Sequence, residues 1–121
     1  MNSSKFIVYF KPGCSKCRTA KNAFDAAQLD CSYFEYLETP PGKKEIRNVL
    51  KLLGLKARQI VRTSEPLYSE KFAGKTFSNS EWIEILAKNP VLIQRPIVVH
   101  GDKAWIARDE ITIQEIIKNK D

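Results

Sequence analysis

The sequence predicts an α/β domain on a mixed four-stranded sheet, with a block of helices inserted between its two halves. Three observations carry this. A β-branched and aromatic run, Lys5-Phe6-Ile7-Val8-Tyr9-Phe10, leads into a helix-like segment and then into a second strand-like one. Two short apolar runs, Ile97 to His100 and Ala104 to Ala107, flank Gly101-Asp102, the signal of a tight hairpin. Between these halves, over about residues 43–88, the apolar spacing is helical. At 121 residues the chain is long enough to bury a real core, and residues 1–121 are read as one domain.

Each element has its own justification. Lys5 to Phe10 reads as a central strand. From Cys14 to Leu29, the small or apolar residues Cys17, Ala20, Phe24 and Ala27 share one helical face. Ser32 to Leu37, with Tyr33, Phe34, Tyr36 and Leu37, reads as the second strand, and Thr39-Pro40-Pro41-Gly42 stops it. From Lys43 to Leu53, Ile46, Val49, Leu50 and Leu53 recur at i, i+3, i+4 and i+7, an amphipathic helix ended by Gly54. A short helix is predicted around Lys56 to Val61. Thr63 to Thr76 reads as irregular, broken by Pro66 and Gly74. Ser78-Asn79-Ser80-Glu81 has the chemistry of a helix start, for a helix through Trp82, Ile85 and Leu86 to Lys88 that Asn89-Pro90 ends. Asp109 can cap a last helix whose Ile113, Ile116 and Ile117 face inward. A β-α-β unit and a β-β-α unit joined by helices is the thioredoxin-like arrangement.

Composition narrows the class. Apolar and charged fractions of 43% and 28% are ordinary for a globular protein, and no apolar run approaches membrane-spanning length. The N-terminal region lacks the pattern of a secretory signal, and three cysteines do not suggest a secreted disulfide framework, so a cytoplasmic location is expected. The net charge of +6 is unevenly spread. Between Pro40 and Thr63 lie Lys43, Lys44, Arg47, Lys51, Lys56, Arg58 and Arg62 against Glu45 alone, while the other residues carry thirteen bases and thirteen acids. Such a run is either a solvated helix face or an attractor of anions. Nucleic acid is disfavoured, because the run holds no aromatic side chains on which bases could stack.

The chemistry points to Cys14-Ser15-Lys16-Cys17, placed where the first strand turns into the first helix. There a sulfur meets helix N–H groups that lack partners within the helix, which favours the thiolate. Lys11, Lys16 and Arg18 add positive charge. Cys17 lies one turn on, within reach for a disulfide, and the pattern reads as a redox pair. The alternatives are a zinc site or two inert buried thiols. Zinc would need four ligands, and only Cys31 and His100 remain, so no metal is expected. Cys31 reads as a small buried residue at the start of the second strand, and His100 as a turn residue.

Arg62, Arg95 and Arg108 stand out by context. Arg62 closes the basic run, Arg95 precedes Pro96 and the Ile97-Val98-Val99 strand, and Arg108 follows the next strand. A planar guanidinium that stays charged suits a tetrahedral oxyanion. In a thioredoxin-like sheet the proline that opens the third strand is commonly cis and packs by the reactive cysteine. If Pro96 plays that part, Arg95 falls beside Cys14.

The chain resembles the glutaredoxin-coupled arsenate reductases and their relatives, including the Spx-type transcription regulators. The resemblance rests on Lys11-Pro12-Gly13-Cys14, on Tyr36-Leu37-Glu38-Thr39-Pro40-Pro41, on Arg62-Thr63-Ser64-Glu65-Pro66-Leu67-Tyr68, and above all on the run from Asn89 to Val99, with Arg108 at the family's spacing. It implies that Cys14 is the nucleophile, that Arg62, Arg95 and Arg108 bind the oxyanion, and that arsenate is reduced to arsenite through a Cys14–arsenate adduct. No bound cofactor is implied, only an external thiol reductant: thioredoxin, or glutathione with glutaredoxin. Where glutathione-using members often carry His and Ser around the cysteine, this chain has Phe10 and Cys17. Cys17 can then serve as an internal resolving thiol. The alternatives are a redox-sensing regulator that binds RNA polymerase, and a thiol reductase of another substrate.

Overall fold

In the computed structural model, which describes residues 5–120, β1 (Phe6–Phe10) lies inside a four-stranded sheet. Its neighbours are β2 (Cys31–Glu35), parallel to it, and β3 (Ile97–His100), antiparallel; β4 (Lys103–Ile106) pairs antiparallel with β3 at the other edge. The order is β2-β1-β3-β4, the mixed sheet of a thioredoxin-like fold. The parallel β1–β2 pair requires a crossover, and α1 (Ser15–Ala26) supplies it. The β3–β4 hairpin turns through Gly101, whose φ of 62° suits a residue without Cβ. α5 (Glu110–Lys118) closes this half, with the Asp109 carboxylate accepting from the Thr112 N–H at 2.8 Å. That bond holds the Asp109 carboxyl below its usual range.

Contacts divide the chain into two compact units, residues 1–39 with 95–121, and residues 40–94. In the first, Phe6 and Val8 of β1, Ala20 and Phe24 of α1, Val98 of β3, and Ile113 and Ile116 of α5 form one buried cluster. Strand alternation and helical spacing present these residues together, which is why the apolar pattern was readable. Each large side chain so buried contributes on the order of 1.5–3 kcal/mol.

The second unit holds α2 (Lys43–Leu53), α3 (Pro66–Lys71) and α4 (Asn79–Lys88), with 3-10 turns at Ala57–Ile60 and Pro90–Leu92. α2 buries Ile46, Val49 and Leu50 and ends at Gly54, at φ 71°. α4 begins with a reciprocal cap: Ser78 Oγ accepts from the Glu81 N–H at 3.1 Å, and the Glu81 carboxylate accepts from the Ser78 N–H at 2.8 Å. One expectation is corrected here. The stretch read as irregular contains α3, and Pro66 starts that helix rather than breaking it. Proline is tolerated at the first helical position, where its missing N–H costs nothing. Among the described residues, no helix is long and apolar enough to cross a membrane.

Candidate active site

Cys14 is the residue at which strand geometry gives way to helix. Its backbone is extended, at φ −86° and ψ 126°, while its carbonyl already accepts from the Arg18 N–H at 3.0 Å. A turn in which the Cys14 N–H donates to the Lys11 carbonyl, also at 3.0 Å, brings the chain off β1. The sulfur is thus held at the open N-terminus of α1.

Partial burial of Cys14 opposes ionisation, and hydrogen bonds overcome it. The Cys17 N–H, the Arg95 guanidinium, the Cys17 thiol and the Lys16 N–H all favour the thiolate, and the pKa falls to about 7. Cys17 goes the other way. It is 1% exposed, and burial is the main reason its pKa rises to about 11; the nearby Cys14 charge adds to this, against the Lys11 N–H, which donates to Cys17 Sγ at 3.4 Å. The pair is therefore asymmetric: one sulfur ionised near neutral pH, the other a thiol. Of the groups the sequence points to, the helix N–H groups and Arg95, beside Cys14 as the place of Pro96 suggests, act as expected.

Arg95 is only 4% exposed. Burial disfavours its charge, but the Tyr36 hydroxyl and the Cys14 sulfur more than restore it. Arg95 Nη1 donates to the Tyr36 hydroxyl at 3.4 Å, and the Arg95–Pro96 peptide bond is cis. Arg108, half-buried in the loop after β4, donates from Nη1 to the Arg95 carbonyl at 2.6 Å. Its other guanidinium N–H groups have no hydrogen-bond partner among the described residues. The first unit thus gathers Cys14, Cys17, Arg95, Pro96 and Arg108. Arg62 belongs to the second unit, where its N–H donates to the Leu92 carbonyl at 2.7 Å and its Nε pairs with the Glu65 carboxylate at 3.4 Å.

Tyr36 was missed as a site residue. It lies just beyond β2, in a turn, 1% exposed. Its signal in the sequence is its place at the head of the Tyr36-Leu37-Glu38-Thr39 run, which carries part of the family resemblance but whose alternation reads as strand. Cys31 opens β2 half-buried, and burial raises its pKa. His100 closes β3, stacked on Phe6 with ring centroids 3.8 Å apart and planes at 5°. It is a packing residue of the sheet rather than of the turn.

Comparison with known proteins follows the same lines. A sequence model of the ArsC family matches residues 9–116. The chain belongs to the ArsC family. Within reach of it is an uncharacterised Escherichia coli protein, YfgD, 37% identical over 112 residues that span 91% of this chain and 94% of that one. An arsenate reductase of Haemophilus influenzae is 33% identical over 113 residues, covering 92% and 97%. Among solved structures, an arsenate reductase from Vibrio cholerae superposes with a TM-score of 0.87 at 32% identity, covering 95% of this chain and 99% of that one. The ArsC match runs from β1 to α5 and so spans both units.

Proposed function

We propose that the chain reduces arsenate to arsenite, with Cys14 as nucleophile and Cys17 as resolving thiol. The observation that carries this is the Arg95 guanidinium on the sulfur of Cys14. One buried cation favours the thiolate and stands ready for the charge of an arriving oxyanion. Membership of the ArsC family, and the names of the relatives in Haemophilus influenzae and Vibrio cholerae, support the same substrate.

In this reading Arg95 and the open N–H groups of Arg108 hold the anion, and the family resemblance gives Arg62 the same task. Their planar forks fit a tetrahedral oxyanion and offset its charge as it meets a thiolate, so catalysis is positional and electrostatic. The Cys14 thiolate forms an S–As bond. An As–O bond breaks, and the oxygen leaves as water after protonation from solvent. Cys14 is now neutralised, and one cause of the raised Cys17 pKa is gone. The Lys11 N–H still favours the Cys17 thiolate. Cys17 loses its proton and attacks the Cys14 sulfur; an S–S bond forms, and the S–As pair stays on arsenic. Arsenic passes from the pentavalent to the trivalent state, and two thiols become one disulfide. Being tethered, Cys17 has a far higher local concentration than a free thiol.

The disulfide then needs an external reductant, and a dithiol such as thioredoxin fits better than glutathione with glutaredoxin. The test is arsenate-dependent oxidation of NADPH, run with thioredoxin and its reductase and separately with glutathione and glutaredoxin. Turnover that needs arsenate and prefers thioredoxin is expected. No arsenate-dependent turnover with either would remove arsenate as the substrate.

A further inference from the structure

The charge excess of the chain is carried on one exposed face. α2 exposes five residues, Lys43, Lys44, Arg47, Asn48 and Lys51, and four of these are cations. At 100° per residue they occupy one continuous side of the helix, opposite the buried Ile46, Val49 and Leu50. Lys43 to Lys51 spans about 12 Å along the axis. Lys56 and Arg58, both exposed, continue the charge past the helix end. None of these six cations holds an ion pair or a side-chain-to-side-chain hydrogen bond among the described residues; the Lys43 charge does reach Glu84, whose pKa it helps to lower. Six like charges without partners repel each other and do not hold the unit together.

We propose that this face is an encounter surface for an acidic protein, namely the dithiol reductant that recycles the enzyme. This rests on the proposed function, in which a Cys14–Cys17 disulfide must be reduced. The step is balanced: two thiols of the partner become a disulfide as the Cys14–Cys17 disulfide becomes two thiols. A protein suits the face better than a nucleic acid does. The cations are helical, at i and i+4, and match carboxylates on a facing acidic surface. No aromatic side chain stands among them for a base to stack on. Complementary charge acts on the encounter rate, so it can serve the recycling step without touching the chemistry.

The test uses the triple variant Lys44→Glu, Arg47→Glu, Lys51→Glu, with the Gln triple as a milder control, both checked for native circular dichroism. The probe is a thioredoxin of negative net charge. Its association with the wild type, by fluorescence anisotropy, should weaken steeply with added salt, and the Glu triple should bind about tenfold more weakly at low salt. In turnover, kcat/KM for thioredoxin should fall by a similar factor, while turnover driven by dithiothreitol stays within about twofold. Unchanged thioredoxin binding in both triples, or tighter binding of duplex DNA or anionic vesicles than of thioredoxin by the wild type, would overturn the proposal. Loss of arsenate turnover with every reductant would count against the function alone, because the binding arm needs no arsenate.

Discussion

Arg95 donates to the sulfur of Cys14 and, through Nη1, to the hydroxyl of Tyr36 at 3.4 Å. A cation just ahead of β3 thereby ties the start of α1 to the turn after β2. The Arg95 carbonyl receives Arg108 at 2.6 Å, so the loop between β4 and α5 is joined to the same residue.

The first prediction concerns ionisation. The Cys14 pKa is lowered, so the reactive thiolate is present above about pH 7 and is lost as pH falls through that value. The rate of iodoacetamide alkylation of Cys14 should therefore show a midpoint near 7. In Arg95→Gln the midpoint should move up toward the free-thiol value of about 8.5. An unmoved midpoint would mean that helix N–H groups alone hold the thiolate.

Arginine at position 95 should not be replaceable by lysine. The charge survives in Arg95→Lys, but the fork that reaches both Tyr36 and the anion does not. We expect kcat/KM for arsenate to fall at least about tenfold, the scale of one lost charge-assisted hydrogen bond of about 1.5–3 kcal/mol. Arg108→Ala and Arg62→Ala should lower it in the same direction. Steady-state kinetics on the three variants decides this.

Tyr36→Phe removes only the hydroxyl that accepts from Arg95. Its effect should be smaller than that of Arg95→Lys and should show in both KM and the alkylation midpoint, since the guanidinium loses one of its anchors. A change in thermal stability alone, with both readouts unmoved, would make Tyr36 a packing residue.

The fold also makes a prediction about stability. Ser78→Ala breaks the reciprocal cap of α4 and should cost about 1 kcal/mol in denaturant unfolding. Gly54→Ala places a Cβ on a residue at φ 71° and should cost about 1–2 kcal/mol. Neither position belongs to the candidate site, so arsenate turnover by the folded fraction should not change.

Most of the fold was legible because its elements bury regular stripes. α2 and β3 end where the sequence put them, at Gly54 and at the Gly101 turn, because a glycine forces the stop. α3 was not legible, because it buries none of its residues and so leaves no apolar stripe. β2 ends at Glu35, short of the Leu37 that the aromatic pattern suggests, since Tyr36 is aromatic and buried but turns out of the strand. In the site, Cys14 and Cys17 were local and therefore visible. The Arg95–Cys14 contact was legible through Pro96, whose place at the head of the third strand sets Arg95 beside the cysteine. The Arg95–Tyr36 contact was not, because it joins residues 59 apart in sequence and no local pattern encodes it.

The central claim is that Cys14 attacks arsenate and Cys17 releases the product. Peptide mapping by mass spectrometry after one turnover tests it most directly, in wild type, Cys14→Ser and Cys17→Ser. The account predicts a Cys14–Cys17 disulfide in the wild type, no oxidation in Cys14→Ser, and in Cys17→Ser a Cys14 that stays blocked until an external thiol is added. Arsenite production by Cys14→Ser, or glutathionylated Cys14 in the wild type together with unchanged turnover in Cys17→Ser, would contradict it.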